Sequence, residues 1–280
     1  MPKVWFVTGS SRGLGRSIVE NALAAGDRVA ATARRPVQLT EVVERYGDAI
    51  LPLELDVANA EAAATAVEAA SQHFGRIDVV VNNAGYGDAA SVEDVELGSF
   101  RAQLDTNFYG VVYVSKAVLP ILRKQGSGHI VQISSLGGRL ATPGLAAYQS
   151  AKWAVGGFSS VLAQEVAPLG VKVTVLEPGG MRTDWAGSSM TIPPISEPYQ
   201  QTVGAFAEMV RTAGGTEPTD PVKVAQLIRK VVELPEPPLR LLVGADAVQY
   251  AGQAARWLAE SDEQWRHLSE SVSESVSAEA

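Results

Sequence analysis

Short apolar, β-branched runs recur along this chain, and an alanine-rich helical stretch follows nearly every one. The runs are Val4–Thr8, Arg28–Ala33, Ile50–Leu55, Val79–Asn82, His129–Ser134, Lys172–Leu176 and Leu239–Val243. Between them, helical composition marks Leu14–Ala25, Val37–Tyr46, Ala60–Phe74, Gly98–Lys124, Ala147–Ala167 and Pro221–Leu234. Strands with no polar alternation are buried on both faces, and strand–helix alternation joins neighbours in parallel. The pattern predicts an α/β fold: a doubly wound, Rossmann-type three-layer sandwich around a mostly or fully parallel sheet of about seven strands. One domain is expected over residues 1–268. Met181–Gly215 breaks the rhythm, being rich in Pro, Gly, Ser and Thr. It is too long for an ordinary connection, so a substrate lid is expected at about 181–219. Ser269–Ala280 contains only Ser, Glu, Val and Ala, and a frayed or disordered tail is expected there.

Composition narrows the chemistry. The chain has 280 residues, 46% hydrophobic and 19% charged, enough apolar material for one large core. A net charge of −8 opposes general affinity for nucleic acid or anionic membranes. With no cysteine, thiolate catalysis, disulfides and cysteine-bound zinc are excluded. His73, His129 and His267 lack metal-site spacing, so no metal is expected. The first residues have no signal-peptide character, and no run of ~18 apolar residues suggests a membrane span. A cytoplasmic protein is the expectation.

The first run leads directly into Gly9-Ser10-Ser11-Arg12-Gly13-Leu14-Gly15, and then into a helix. Glycines allow tight backbone angles and close approach to a ligand, and a helix N-terminus suits a pyrophosphate. The spacing is GxxxGxG, not GxGxxG, and alone it is equally compatible with a plain structural turn. The second run ends Ala33-Arg34-Arg35, where dinucleotide folds carry an acid for ribose or an arginine for a 2′-phosphate. The acid is absent, and Arg12 can converge on the same place. Guanidinium forks match a phosphate dianion, so NADP(H) is the expected cofactor. The alternative is that Arg34 and Arg35 merely solvate a strand end.

A pair further along raises a sharper question. In AAYQSAKWA, Tyr148 and Lys152 stand one helical turn apart on the same face. Such a pair is either ordinary surface or a phenolic acid assisted by a cation. A free phenol has a pKa near ~10, and a shift to ~7 corresponds to roughly 4 kcal/mol. A unit charge about 4 Å away at effective dielectric ~20 supplies on the order of that.

The ordered set of TGSSRGLG, LDV (Leu55–Val57), NNAG (Asn82–Gly85), Asn107, ISS (Ile133–Ser135), YQSAK and PGGMRT (Pro178–Thr183) resembles the short-chain dehydrogenase/reductase family in its compact form. The resemblance covers roughly residues 3 to 245. It implies that Tyr148 is the catalytic acid/base, and that Lys152 lowers its pKa and binds the nicotinamide ribose. It implies that Ser135 holds the substrate oxygen and that Asn107 orders a water in the proton relay. Gly9, Ser11, Arg12, Gly13, Leu14 and Gly15 would line the cofactor, with Arg34 at the NADP(H)-preferring position. Asp56 and Val57 would contact adenine, unless Asp56 simply caps the next helix. Asn82, Asn83, Ala84 and Gly85 would line the central turn, and Pro178, Gly179 and Thr183 the nicotinamide end. Glu177 departs from the residues usual before that proline, and Met181 separates the double glycine from Thr183.

The expected activity is an NADP(H)-dependent oxidoreductase interconverting a ketone or aldehyde with an alcohol. The competing reading is a dinucleotide-binding sensor without turnover. A third keeps the enzyme but changes the bond, reducing an activated C=C or epimerising through a ketone. Trp185, Met190, Tyr199, Phe206 and Met209 in the lid either line an apolar pocket or pack as core. The first option predicts a largely apolar or aromatic small-molecule carbonyl or alcohol substrate. The family builds homodimers or homotetramers from its long central helices. Trp257 and Trp265, beyond Ala245, are free to pack on a neighbour or on their own subunit.

Overall fold

A computed structural model describes residues 2–186, 189–213 and 215–273. Seven strands form one sheet: β1 (Val4–Val7), β2 (Arg28–Ala33), β3 (Ile50–Glu54), β4 (Val79–Asn82), β5 (Gly128–Ile133), β6 (Val171–Pro178) and β7 (Arg240–Val243). Their order is β3-β2-β1-β4-β5-β6-β7, and every pairing is parallel. The sheet winds one way from β1 to β3 and the other way from β4 to β7. The crossovers therefore diverge between β1 and β4, where a crevice opens at the carboxyl ends of the strands. The expected sheet and layering are found.

Helices cover both faces. They are α1 (Gly13–Ala24), α2 (Thr40–Tyr46), α3 (Ala60–Phe74), α4 (Leu97–Leu104), α5 (Gly110–Gln125), α6 (Ala146–Val166), α7 (Ala205–Ala213), α8 (Pro221–Glu233) and α9 (Ala245–Glu270). On one face Ile18, Val19, Val224 and Ile228 pack on Trp5, Val7 and Val81. On the other, Val67, Val114, Val118 and Leu162 pack on Phe6, Val80 and Ile130. Alternate residues of each strand thus point into different cores, which is why both parities are apolar. Local chemistry sets the helix ends. The Asn59 side chain accepts from Ala62 N at 3.0 Å to start α3, and Gly75, at φ 77°, ends it.

Three expectations need correction. The single helix expected over Gly98–Lys124 is interrupted by a π-helical turn, Asp105–Tyr109, between α4 and α5. Such turns shift the side-chain register by one position, and no periodicity marks them in sequence. Met181–Gly215 is not purely irregular, since it contains a π-helical turn at Gln200–Gly204 followed by α7. Finally, α9 continues to Glu270, into the stretch expected to fray; Ser271–Ser273 follow it, and residues 274–280 lie outside the described residues.

Candidate active site

At the switch point, Thr8 couples β1 to β4. Its Oγ1 accepts from Asn83 N (2.9 Å) and Ala84 N (3.0 Å), while Asn83 Nδ2 donates to the carbonyls of Thr8 (2.9 Å) and Gly9 (3.1 Å). Asn82 turns the other way and donates to Gln132 Oε1 at 2.8 Å, so it supports the sheet. Gly9 has φ 67°, and a Cβ there would lie 2.8 Å from Ala84 Cα. A Cβ on Gly15 would overlap the Gly9 carbonyl. No side chain fits between these backbones, so the turn requires glycine for a physical reason. Arg12 precedes α1 without capping it through its side chain, and the first helical turn has no acid. The helix N–H groups are therefore available to an anion, and the turn fits a dinucleotide's phosphates. Leu14 is buried in the core, leaving only its backbone for a ligand; Ser11 is half-buried and Arg12 exposed.

The region beyond the end of β2 is more open. Ala33 is buried at the end of β2, and Arg34 and Arg35 are exposed beyond it. The Tyr86 phenol is pushed up by burial and then by Asp88, with Arg34 pulling it down and Asp105 and Asp56 adding smaller upward pushes. Arg34 and Asp56 therefore face one region beside Tyr86. Asp56 does not cap α3; its Oδ1 accepts from Ala58 N at 3.0 Å. Val57 is buried under Gly110, where a Cβ would come within 2.8 Å of Val57 Cγ2.

The polar centre lies at the ends of β4 and β5. The π-helical turn points Asn107 inward, where Nδ2 donates to the carbonyls of Tyr86 (2.8 Å) and Gln103 (2.9 Å). Its Oδ1 is buried with no partner. A Cβ on Gly85 would meet Asn107 Oδ1 at 2.6 Å and Lys152 Nζ at 3.5 Å, so both groups face one point. Lys152 Nζ donates to the Ile133 carbonyl at 2.9 Å. Burial lowers its pKa to about 8. Tyr148 lies on the same face of α6, its ring centroid 5.5 Å from Lys152 Nζ. Burial pushes the phenol up to about 12, opposed by a hydrogen bond with Ser135. Ser135 also accepts from Gly137 N at 3.0 Å, which fixes its side chain. Ser134 instead donates to the Lys152 carbonyl at 3.3 Å, a structural contact. Asn107, brought in by the π-helical turn, thus converges with Ser135, Tyr148 and Lys152 beside the glycine turn. An unpartnered acceptor (Asn107 Oδ1) next to a buried ammonium can pass protons if water bridges them.

The Pro178–Thr183 segment borders this centre. Thr183 lies beside the turn, 3.6 Å from where a Gly13 Cβ would stand, and Arg12 and Asp184 pair loosely at 4.0 Å. Trp185 packs on Tyr148 with ring centroids 5.1 Å apart, inclined at 52°. Of the aromatic residues after Met181, Trp185 therefore packs on this centre. Tyr199 instead donates to Glu93 Oε2 at 2.7 Å on the rim, and Met209 is exposed.

Two supporting residues carried no functional signal in sequence. Glu177, the departure before Pro178, is fully buried and accepts from Arg139 Nε (2.7 Å) and Arg240 Nε (2.9 Å). It ties the loop after Ser135 to β7. Asp246, in the first turn of α9, accepts from Gly180 N at 2.8 Å, while Gly179 N donates to the Val243 carbonyl at 3.0 Å. A Cβ on Gly179 would overlap the Asp246 carboxylate, so this glycine is needed for close approach. Both contacts join residues remote in sequence, which no local pattern encodes. Among the described residues, no cluster of His, Cys, Asp and Glu could hold a metal, and no helix is long and apolar enough to cross a membrane.

Comparison with known proteins agrees with this geometry. The family model for short chain dehydrogenase matches residues 3–191. Oxidoreductase BOA17 of Botryotinia fuckeliana is 62% identical over 270 residues, spanning 96% of this chain and 98% of that protein. A short-chain dehydrogenase from Streptomyces avermitilis superposes with a TM-score of 0.92 at 35% identity, covering 98% of this chain and all of that one. An alcohol dehydrogenase from Thermococcus sibiricus, solved with 5-hydroxy-NADP, gives 0.72 at 26% identity over 87% and 96% of the two chains. The family-model match and the 62% identical relative show that the chain belongs to the short-chain dehydrogenase family of oxidoreductases.

Proposed function

We propose that this oxidoreductase interconverts a ketone or aldehyde with an alcohol using NADP(H), with Tyr148, Lys152, Ser135 and Asn107 as its catalytic set. The observation that carries this reading is the convergence of those four side chains beside a glycine turn that fits a dinucleotide. The bound cofactor would supply the hydride that adds to the carbonyl carbon. Ser135 donates a hydrogen bond to the carbonyl oxygen and stabilises the charge that develops on it. Tyr148 gives that oxygen its proton as the C=O π bond breaks. Lys152 stabilises the phenolate left behind, and with Asn107 it returns a proton to Tyr148. Gly9, Ser11, Arg12, Gly13, Leu14 and Gly15 hold the phosphates, largely through backbone N–H groups. Asp56 and Val57 flank the adenine. Asn83, Ala84, Gly85, Pro178, Gly179 and Thr183 line the rest of the cofactor's path.

The NADP(H) preference rests on the two exposed arginines after β2 and on the absence of an acid there. The alcohol dehydrogenase carrying 5-hydroxy-NADP is in keeping with it. Trp185 against Tyr148 supports a largely apolar or aromatic substrate beneath a lid at about 181–219. We place the enzyme in the cytoplasm as a single domain over 1–268, assembled as a homodimer or homotetramer. The sensor reading gains nothing from a site that buries an ammonium beside a phenol, which is costly without a chemical use. The test pools ketones and aldehydes, supplies NADPH or NADH separately, and repeats the assay with Arg34→Ala. The proposal predicts turnover favouring NADPH, with the preference lost in the variant. Turnover that favours NADH in the wild type would overturn the cofactor assignment.

A further inference from the structure

We propose that Trp185 reads the substrate: its indole N–H donates to a second oxygen beside the reacting carbonyl, which makes the substrate class a 1,3-dicarbonyl such as a β-keto ester. This rests on the carbonyl-reductase reading above and narrows it. The indole packs on the Tyr148 ring, with centroids 5.1 Å apart and an inclination of 52°. The edge that carries the N–H lies towards Gly87. A Cβ on Gly87 would come within 2.9 Å of Trp185 Cζ2, which shares a ring carbon with Nε1, and within 3.1 Å of Tyr148 Cδ2. Glycine at 87 therefore lets the indole edge and the phenol meet over bare backbone. Nε1 is buried and has no hydrogen-bond partner. Buried donors are nearly always paired, because an unpaired one forfeits its hydrogen bonds to water. The neighbouring side-chain acceptors are engaged. Thr183 Oγ1 accepts from the backbone N–H of Trp185 itself at 3.4 Å, and Asp184 pairs with Arg12 at 4.0 Å. Asp88 Oδ1 accepts from Thr191 N at 2.8 Å. Ser135 accepts from Gly137 N at 3.0 Å and hydrogen-bonds Tyr148.

The donors then divide. Ser135 and Tyr148 serve the oxygen that is reduced, and the third donor calls for an oxygen that is not. Because the two rings are in contact, both oxygens belong to one compact group rather than to opposite ends of a long chain. A β-keto ester meets this, with its two carbonyl carbons joined through a single methylene. Hydride from NADPH adds to the ketone carbon, the C=O π electrons take the proton from Tyr148, and the ester carbonyl is left unchanged in a β-hydroxy ester. A site with such a donor discriminates, since a substrate without the second oxygen leaves the donor buried and unpaired.

The test compares ethyl 3-oxo-3-phenylpropanoate with 1-phenylhexan-1-one, which matches its chain length but has methylenes in place of the ester. The wild type is expected to prefer the ester at least about tenfold in kcat/KM. An ester also activates the ketone by itself, so the decisive reading is the change in that preference. Trp185→Phe keeps an aromatic ring against Tyr148 and removes the N–H, and the preference is expected to fall at least about tenfold. A rise in melting temperature with cofactor shows that the variant folds. A second reading needs no variant and no reactivity: ethyl 3-hydroxy-3-phenylpropanoate is expected to inhibit the wild type at least about tenfold more tightly than 1-phenylhexan-1-ol. A preference unchanged in Trp185→Phe, or equal inhibition by the two alcohols, would overturn the inference and leave the reductase reading standing. Reduction of neither ketone would also overturn the inference, and only failure of the whole ketone and aldehyde pool would overturn the reductase reading beneath it.

Discussion

Replacing Lys152 with Met keeps most of the side-chain volume and removes its charge. On the proposed mechanism that charge is what makes Tyr148 useful. Burial alone holds the phenol up to about 12, far from working pH. The ammonium lies 5.5 Å from the ring centroid. At effective dielectric ~20, a unit charge about that far away stabilises the phenolate by roughly 3 kcal/mol. That corresponds to about 2 pKa units, and an oxidised nicotinamide would contribute a second positive charge. The coupling is mutual. Burial lowers Lys152 to about 8, and a phenolate beside it favours its charged form. Lys152→Met should therefore raise the pKa of Tyr148 by about 2 units with oxidised cofactor bound. The assay is phenolate absorbance against pH, wild type minus Tyr148→Phe, repeated on the Lys152→Met background. Lys152→Arg should recover part of the shift. An unchanged Tyr148 pKa with only weakened cofactor binding would show that Lys152 merely anchors the ribose, and the electrostatic argument would fail.

Glu177→Leu strands Arg139 and Arg240 around an apolar side chain; since both arginines are about a third exposed, we expect a loss near the low end for broken buried pairs, about 3 kcal/mol, read by urea unfolding. A loss below about 0.5 kcal/mol would mean that water replaces the carboxylate readily. Asp246→Ala leaves the Gly180 amide without its acceptor and should raise the cofactor KM several-fold with a smaller change in kcat, while Asp246→Asn keeps most of the contact. Equal losses in both variants would contradict the role of that hydrogen bond. Stability should also follow the buried titrating groups. Burial holds Lys152 at about 8 against 10.5 unfolded, so the unfolded chain binds more protons in that window and stability rises with pH across it. His129, held at about 4 by burial and then by Lys172, loses stability as pH falls from 6.5 towards 4. Urea midpoints across both windows check this; a wild-type slope matching that of Lys152→Met above pH 8, or of His129→Gln below 6.5, would refute it.

Much of this architecture is written locally in the chain. Runs such as VWFV and VVVN have no polar alternation, and that alone puts β1 and β4 inside a parallel sheet. The glycine turn is legible because backbone packing, as at Gly15 against Gly9, leaves no room for a side chain. Tyr148 and Lys152 are legible because helical spacing fixes their common face. Other features depend on distant partners. The π-helical turn that aims Asn107 shifts the register by a single residue inside a stretch whose composition is helical throughout, so the sequence there reads as continuous helix. Glu177 looks like an intrusion before Pro178 until Arg139 and Arg240 close around it. Its position is set by β7, which lies 63 residues later. Only the start of α9 packs on the body, through Ala247 and Ala251, while Trp257, Leu258, Trp265 and Leu268 stay exposed, so no core face marks the helix in sequence.

The central claim is that Tyr148 delivers the proton in a hydride-transfer reaction. The most direct measurement is turnover of a carbonyl substrate with NADPH by the wild type and by Tyr148→Phe, alongside cofactor affinity for each. The account predicts that the phenylalanine variant binds NADPH within about threefold of wild type yet loses at least roughly a thousandfold in kcat, general acid catalysis being worth about 10²–10⁴. A variant that binds cofactor and keeps most of its kcat would contradict it, because the proton would then have to come from another group.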